Sequence, residues 1–248
     1  MAVNTDKNSY TILFAIAMVL VVGSLLAFTA ASLKPRITEN ERMEKQQNIL
    51  YAMGVNENEG TSREFISTDK VAGEFSKYIK KQLIVDANGG SKEDTEAYLI
   101  DVKKEQAKAK NGETRRLPLF IGEKDGKTFY IAPIRGKGLW DAIWAYVALD
   151  KQMVVQGVFF DHKGETPGLG ANINQRFFMD DFTGERLLDD NGTFKGIAVA
   201  KGNNDPKNLI KDDYEVDALA GATITGDGVS AMIKSDLKLY LPYFKNLK

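Results

Sequence analysis

From Tyr10 to Leu33 the chain runs 24 residues without a charge. As a helix this stretch is about 36 Å long, enough to cross the hydrocarbon core of a bilayer. It is longer than the apolar region of a cleaved signal peptide, usually about 7–15 residues, and only Lys7 precedes it as a basic residue. A retained single anchor is expected. Residues 36–53 are charged with sparse apolar positions and read as a helix leaving the membrane. A loop is expected over Glu57–Thr61, then a polar, irregular region with helical pieces at Val71–Ile84 and Lys92–Lys110. At Leu117 the pattern changes. Leu117–Gly122 and Thr128–Ile134 are apolar runs about a Lys124-Asp125-Gly126-Lys127 turn, a hairpin signal. Ala142–Leu149 and Met153–Phe160 form a second pair, and Phe194–Ala200 a further strand. Asn172–Asp181 and Val229–Tyr240 read as helices. Strand pairs followed by separate helices predict an α+β domain with an antiparallel sheet. The expected divisions are an N-terminal tail and transmembrane helix (1–34), a helical or irregular membrane-proximal region (35–115) and a C-terminal domain (116–248).

Composition narrows the chemistry. With 33 basic and 34 acidic residues, the chain lacks the basic surface that nucleic acid requires. It contains no cysteine, which excludes disulfides, iron–sulfur clusters and thiolate metal sites. It has one histidine, His162, so a multi-histidine metal site or a bis-histidine haem is excluded within this chain. Any electron transfer here needs an organic cofactor. No metal ligand set and no catalytic acid or base is predicted.

Three segments could carry such a cofactor. In Arg135-Gly136-Lys137-Gly138-Leu139-Trp140-Asp141, two glycines beside a tryptophan let backbone approach a flat ligand. The same pattern also suits a tight turn with Trp140 in the core. In Gly164-Glu165-Thr166-Pro167-Gly168-Leu169-Gly170, Pro-Gly makes a turn, Gly168 and Gly170 permit unusual dihedrals, and Glu165 and Thr166 offer hydrogen-bonding groups. That pattern also fits an ordinary strand-to-helix loop. The third segment, Asp217-Ala218-Leu219-Ala220-Gly221-Ala222-Thr223-Ile224-Thr225, precedes the helix expected at Val229. Thr225 suits a helix N-cap. The same geometry presents free N–H groups to a phosphate. Composition is compatible with both.

At these residues the chain resembles a known family. Asp217–Thr225 is similar to the flavinylation motif Asp-x-x-(Ser/Thr)-Gly-Ala-(Ser/Thr)-x-(Ser/Thr), in which the last hydroxyl residue is joined to FMN through a phosphoester. A separate flavin transferase makes that bond, using FAD and magnesium. Asp217, Gly221, Ala222, Thr223 and Thr225 match, and Ala220 departs from the usual hydroxyl residue. The Gly164–Gly170 loop and Arg135–Leu149 resemble the same FMN-binding domain. Together with the anchor and the chain length, the pattern resembles the C subunit of the sodium-translocating NADH:quinone reductase family, well over Leu117–Tyr240 and loosely over 55–115.

The resemblance implies a covalent FMN on Thr225 that passes electrons between neighbouring cofactors toward quinone, with NADH oxidised on a partner subunit. The chain is then one component of a multi-subunit membrane translocase and not catalytic alone. Expected flavin contacts are Leu139, Trp140, Glu165, Thr166, Gly168, Leu169, Gly170, Asp217, Gly221, Ala222 and Thr223. The charge count near the anchor, Lys7 against Lys34, Arg36, Arg42 and Lys45, favours a cytoplasmic domain. The resemblance implies the periplasmic side of a bacterial inner membrane, and that orientation is the expectation adopted. The alternatives are the G subunit of an Rnf ferredoxin:NAD complex, which shares the flavin domain and anchor, and a non-redox anchored scaffold.

Overall fold

One helix, α1 (Asn8–Ala52), carries both the apolar stretch and the charged segment after it, continuing through Pro35. This is how the computed structural model begins; it describes residues 5, 7–202, 205 and 207–247. Met1–Asn4 and Asp6, part of the expected N-terminal tail, lie outside the described residues. The chain divides into two units, Met1–Met43 and Glu44–Lys248. In the first, the apolar part of α1 has a mean hydropathy of 2.7 and no buried positions, so it is long and apolar enough to cross a membrane.

The second unit is α+β. Its elements are α2 (Val71–Tyr78), β1 (Ile79–Val85), β2 (Ser91–Glu93), α3 (Val102–Lys110), β3 (Leu117–Lys124), β4 (Lys127–Lys137), β5 (Ala142–Leu149), β6 (Val155–His162), α4 (Arg176–Asp181), β7 (Ala198–Ala200), β8 (Glu215–Asp217), α5 (Thr223–Asp236) and α6 (Leu241–Asn246). Six strands form one sheet in the order β2-β1-β3-β4-β5-β6, antiparallel throughout. The β3–β4 hairpin turns through Asp125 and Gly126, both at positive φ (51° and 74°), the conformation a tight two-residue hairpin needs.

Several expectations are corrected. The helix expected over Val71–Ile84 stops at Tyr78, and Ile79–Val85 is a sheet strand. Apolar Val71, Phe75 and Ile79 keep a four-residue spacing across the junction, so the helical period reads on into the strand. Lys92–Lys110 holds a short strand, a 3-10 turn at Ala97–Leu99 and a helix only from Val102. The strand expected over Phe194–Ala200 is confined to Ala198–Ala200, which pairs in parallel with β8. Asn172–Asp181 is a 3-10 turn at Gly170–Asn174 followed by α4. β1 and β2 come from the expected membrane-proximal region, so the sheet crosses the boundary drawn at residue 116.

α5 fixes the position of everything that follows. It begins at Thr223, six positions before the expected Val229. It packs against β4, where Met232 Cβ lies 2.8 Å from the place a Cβ on Gly136 would occupy. On its other side, Ser230 Oγ accepts the Val199 N–H from β7 at 2.8 Å. At the C-terminal end, buried Tyr240 donates its hydroxyl to the Pro118 carbonyl of β3 at 2.9 Å.

Candidate cofactor site

Glu165 is the point where the three predicted segments meet. It follows β6, and 96% of its surface is buried. A buried carboxylate needs hydrogen-bond donors to remain charged. The backbone N–H of Trp140, just after β4, donates to Oε1 at 2.9 Å, and the Thr225 hydroxyl, in the first turn of α5, donates to Oε2 at 2.6 Å. Burial pushes the Glu165 carboxyl up. The hydrogen bonds from Thr225 and from the backbone of Trp140, Asp141 and Leu139 outweigh it and hold the group below the usual carboxylate range. His162 lies beneath the loop, its Nδ1 accepting the Glu165 N–H at 3.2 Å.

Glycines make this convergence possible. A Cβ on Gly138 would stand 2.5 Å from Glu165 Oε1. One on Gly170 would stand 2.5 Å from Thr225 Oγ1 and 2.6 Å from Glu165 Oε2. Neither position accepts a side chain without displacing the carboxylate.

Thr225 is not the N-cap. Ala222 holds that position and makes no side-chain cap bond. Thr225 is the third helical residue, 1% exposed, and its hydroxyl donates away from the helix to Glu165. The first-turn N–H groups have no intrahelical acceptor and lie at the positive end of the helix dipole. Above them is a cleft of about 250 Å³ lined by Leu139, Glu165, Thr166, Leu169, Gly170 and the residues Gly221 to Thr225.

Most expected site residues therefore come together. Leu139, Glu165, Thr166, Leu169, Gly170, Gly221, Ala222, Thr223 and Thr225 line one cleft. Trp140 borders it, its Nε1–H donating to Thr166 Oγ1 at 3.1 Å. The alternative of Trp140 in the core fails, since the side chain is 67% exposed. Gly168 holds the loop turn at φ 76° without lining the cleft. Asp217 ends β8, half-buried, and is outside the lining. One lining residue was missed: Ile224, 56% exposed, adds an apolar wall. Gly138, one of the two glycines read beside Trp140 as letting backbone approach a ligand, instead makes room for Glu165.

The arrangement suits a flat, phosphorylated ligand. Exposed Leu139, Trp140, Leu169 and Ile224 give apolar surface, while the floor is a helix N-terminus with a hydroxyl in its first turn. The positions where Gly170 and Gly221 lack a Cβ keep the floor open. Residues 138–238 match the FMN-binding domain family, a span that contains every cleft residue. The chain is 31% identical over 244 residues to the C subunit of the Na(+)-translocating NADH-quinone reductase of Yersinia pestis, covering 91% of this chain and 87% of that one.

The chain belongs to the family formed by the C subunits of the Na(+)-translocating NADH-quinone reductases.

The corresponding protein of Pseudomonas aeruginosa agrees, at 30% identity over 242 residues, 93% of this chain and 91% of the relative. The crystal structure of the C subunit from Parabacteroides distasonis superposes with a TM-score of 0.72 at 30% identity, covering 86% of this chain and 96% of that one. Among the described residues no group of three or more His, Asp or Glu side chains is placed to hold a metal ion.

Proposed function

We propose that this chain is the electron-carrying C subunit of a sodium-translocating NADH:quinone reductase, holding FMN covalently through a phosphoester to Thr225. The observation that carries this is the Thr225 hydroxyl at the floor of a cleft with apolar walls, inside the matched FMN-binding span. The first-turn N–H groups of α5 and Thr223 would hold the phosphate, and Leu139, Trp140, Leu169 and Ile224 the ring. Glu165, Thr166 and the Gly168–Gly170 backbone support these contacts, and Asp217 opens the motif at the end of β8.

Bound FMN supplies one- and two-electron chemistry, which the protein tunes by position and environment. This chain's own residues hold the ring and limit water access on the covered side. One-electron passage through the flavin calls for no proton donor or acceptor from this chain. The cleft is smaller than the usual ligand pocket of about 300–1,000 Å³. Such a shallow site retains a dissociable ligand poorly, and a covalent tether removes that weakness. NADH oxidation belongs to another component of the complex in this reading, and a flavin transferase installs the flavin. α1 anchors the chain in the bacterial inner membrane with the large domain on the periplasmic side. The C-subunit relatives favour this assignment over the G subunit of an Rnf complex.

Intact mass of the purified protein tests the proposal. An added FMN less water is expected on the wild type and on Thr223→Val, and none on Thr225→Val. Covalent flavin on Thr225→Val would overturn the assignment. A reporter fused after residue 248 tests orientation: activity of a periplasm-dependent reporter is expected, and activity of a cytoplasm-dependent one would reverse it.

A further inference from the structure

A second cleft, of about 630 Å³, is lined by α3, by the end of β4 and by the Arg115–Asp236 pair. Trp140 belongs to its lining, and the same indole donates to Thr166 in the lining of the flavin cleft. The two clefts therefore share a wall. The larger one is cationic, in a chain whose 33 basic and 34 acidic residues nearly balance. Lys103 and Lys110 are seven residues apart on α3 and so on one face of it. Arg135 and Lys137 are two apart on β4 and likewise share a face.

The fold does not neutralise these charges. Among the described residues, none of Lys103, Lys110, Arg135 and Lys137 takes part in an ion pair. Both carboxylates in the lining are already matched, Asp236 by Arg115 at 2.9 Å and Asp141 by Lys163 Nζ at 3.0 Å. Arg135 acts on Asp141 only as a more distant charge. Gln106 ties α3 to β4, its Nε2 donating to the Arg135 carbonyl at 2.6 Å and to Asp236 Oδ2 at 3.1 Å. The cations thus stand on a braced frame, with no internal anion to collapse onto.

We propose that this cleft docks a carboxylate-rich segment of another protein component, beside the flavin. The proposal rests on the reading of the chain as one component of a multi-subunit enzyme. Charge complementarity selects the chemistry. Lys103 and Lys110 stand about 10 Å apart along the α3 axis, too far for one small anion to meet both and suited to several carboxylates in series. A concave site also favours a projecting segment over the plane of an anionic membrane. Trp140 places the docked segment at the edge of the flavin cleft, so the same contact fixes where the flavin faces its neighbour.

Carbodiimide cross-linking of the assembled enzyme in detergent tests the contact directly, because it joins a lysine amine to a carboxylate already beside it. Peptide mapping should find Lys103, Lys110 or Lys137, all exposed, joined to Asp or Glu residues of another component. An assembled enzyme with none of the three joined overturns the docking and leaves the multi-subunit reading standing. A full chain that leaves its membrane with no other component overturns that reading, and the docking with it. Lys103→Glu, Lys110→Glu and Lys137→Glu combined should slow NADH-driven quinone reduction at least about 10-fold, the lower end of electrostatic steering, with covalent FMN retained. The same charge change at Lys92, Lys127 and Lys238, exposed and outside the cleft, should leave the rate near that of the wild type. An unslowed cleft variant, or equal slowing by both sets, overturns the proposal. Lysines shielded from acetylation only in vesicles containing phosphatidylglycerol, and not in detergent, would assign the cleft to anionic lipid and overturn it as well.

Discussion

Arg115 grips Asp236 with both guanidinium arms, Nη1 to Oδ1 at 2.9 Å and Nη2 to Oδ2 at 3.0 Å. Asp236 is 3% exposed and closes α5. Its Oδ2 also accepts the Arg135 N–H of β4 and the Gln106 side-chain amide of α3, each at 3.1 Å. One carboxylate thus fixes the far end of the helix whose first turn carries Thr225. Arg115→Ala would leave that charge buried without its cation, which costs about 3–5 kcal/mol. Urea unfolding should register a loss of that size, and a loss below about 1 kcal/mol would mean the pair does not hold α5. Replacing Asp236 by Asn as well should recover part of the loss, because the uncompensated charge is then gone.

The sequence was legible where signals are local. The β3–β4 hairpin has apolar runs on either side of Asp125-Gly126, and the sheet forms it as expected. α5 starts earlier than expected even though Gly226 and Gly228, both poor helix formers, lie in its first turns. Packing overrides that preference. A Cβ on Gly226 would meet Val199 Cγ1 at 3.0 Å, and one on Gly228 would press into the Lys137 carbonyl. Both glycines let α5 approach the strands on its two sides. Glu165 was legible as a site residue but not as the hub, because its two partners lie 25 and 60 residues away. No period or motif encodes those pairings.

Two buried glutamates give opposite pH dependences. Glu185 is fully buried. Burial pushes its carboxyl up to about 7, and Lys211 Nζ, 3.4 Å from Oε1, offsets this only in part. Its unfolded pKa is lower, so the unfolded chain releases this proton first as pH rises. Its contribution to stability is complete below about pH 4.5 and disappears by about pH 7. Glu105 is the reverse. Burial raises it, but Arg116 and Lys108 hold it down at about 2. Its contribution is present above about 4.5 and is lost as pH falls toward 2. Thermal melts should therefore show Glu185→Gln gaining stability relative to wild type as pH rises from about 5 to about 8. Glu105→Gln should be most damaging at neutral pH and nearly harmless near pH 2. Parallel pH curves for Glu185→Gln and wild type would contradict the shift.

Where α1 can be cut follows from burial. Removing residues 1–33 takes away the apolar span and leaves the packed unit Glu44–Lys248 whole. That protein should be soluble without detergent and should melt cooperatively. Removing residues 1–53 also deletes Ile49, Leu50, Tyr51, Ala52 and Met53, none more than 6% exposed. Tyr51 packs edge-on against Phe159 of β6 at 5.5 Å, and the Ala52 carbonyl fills the space beside Gly157. Each large apolar side chain contributes roughly 1.5–3 kcal/mol on burial, so the longer deletion should abolish cooperative folding. A longer deletion that melts like the shorter one would show that the end of α1 is dispensable.

Trp140 separates a ligand role from a structural one. A tryptophan in a core costs about 3–5 kcal/mol when truncated to alanine. Trp140 is 67% exposed and has one side-chain hydrogen bond, to Thr166. Its backbone N–H, which holds Glu165, survives any side-chain change. Trp140→Ala should therefore lower stability by less than about 1 kcal/mol. If the indole is a wall of the flavin site, the same change should alter flavin absorption and fluorescence and shift the reduction potential. Attachment at Thr225 should still proceed, because the hydroxyl and its carboxylate partner are untouched. Trp140→Phe should keep much of the wild-type spectrum through its remaining ring. Thr166→Val, which removes the hydrogen bond and leaves the indole, distinguishes the ring's effect from that of its anchor. A flavinylated Trp140→Ala protein with an unchanged spectrum and potential would take Trp140 out of the site, and a stability loss of several kcal/mol would make it a core residue after all.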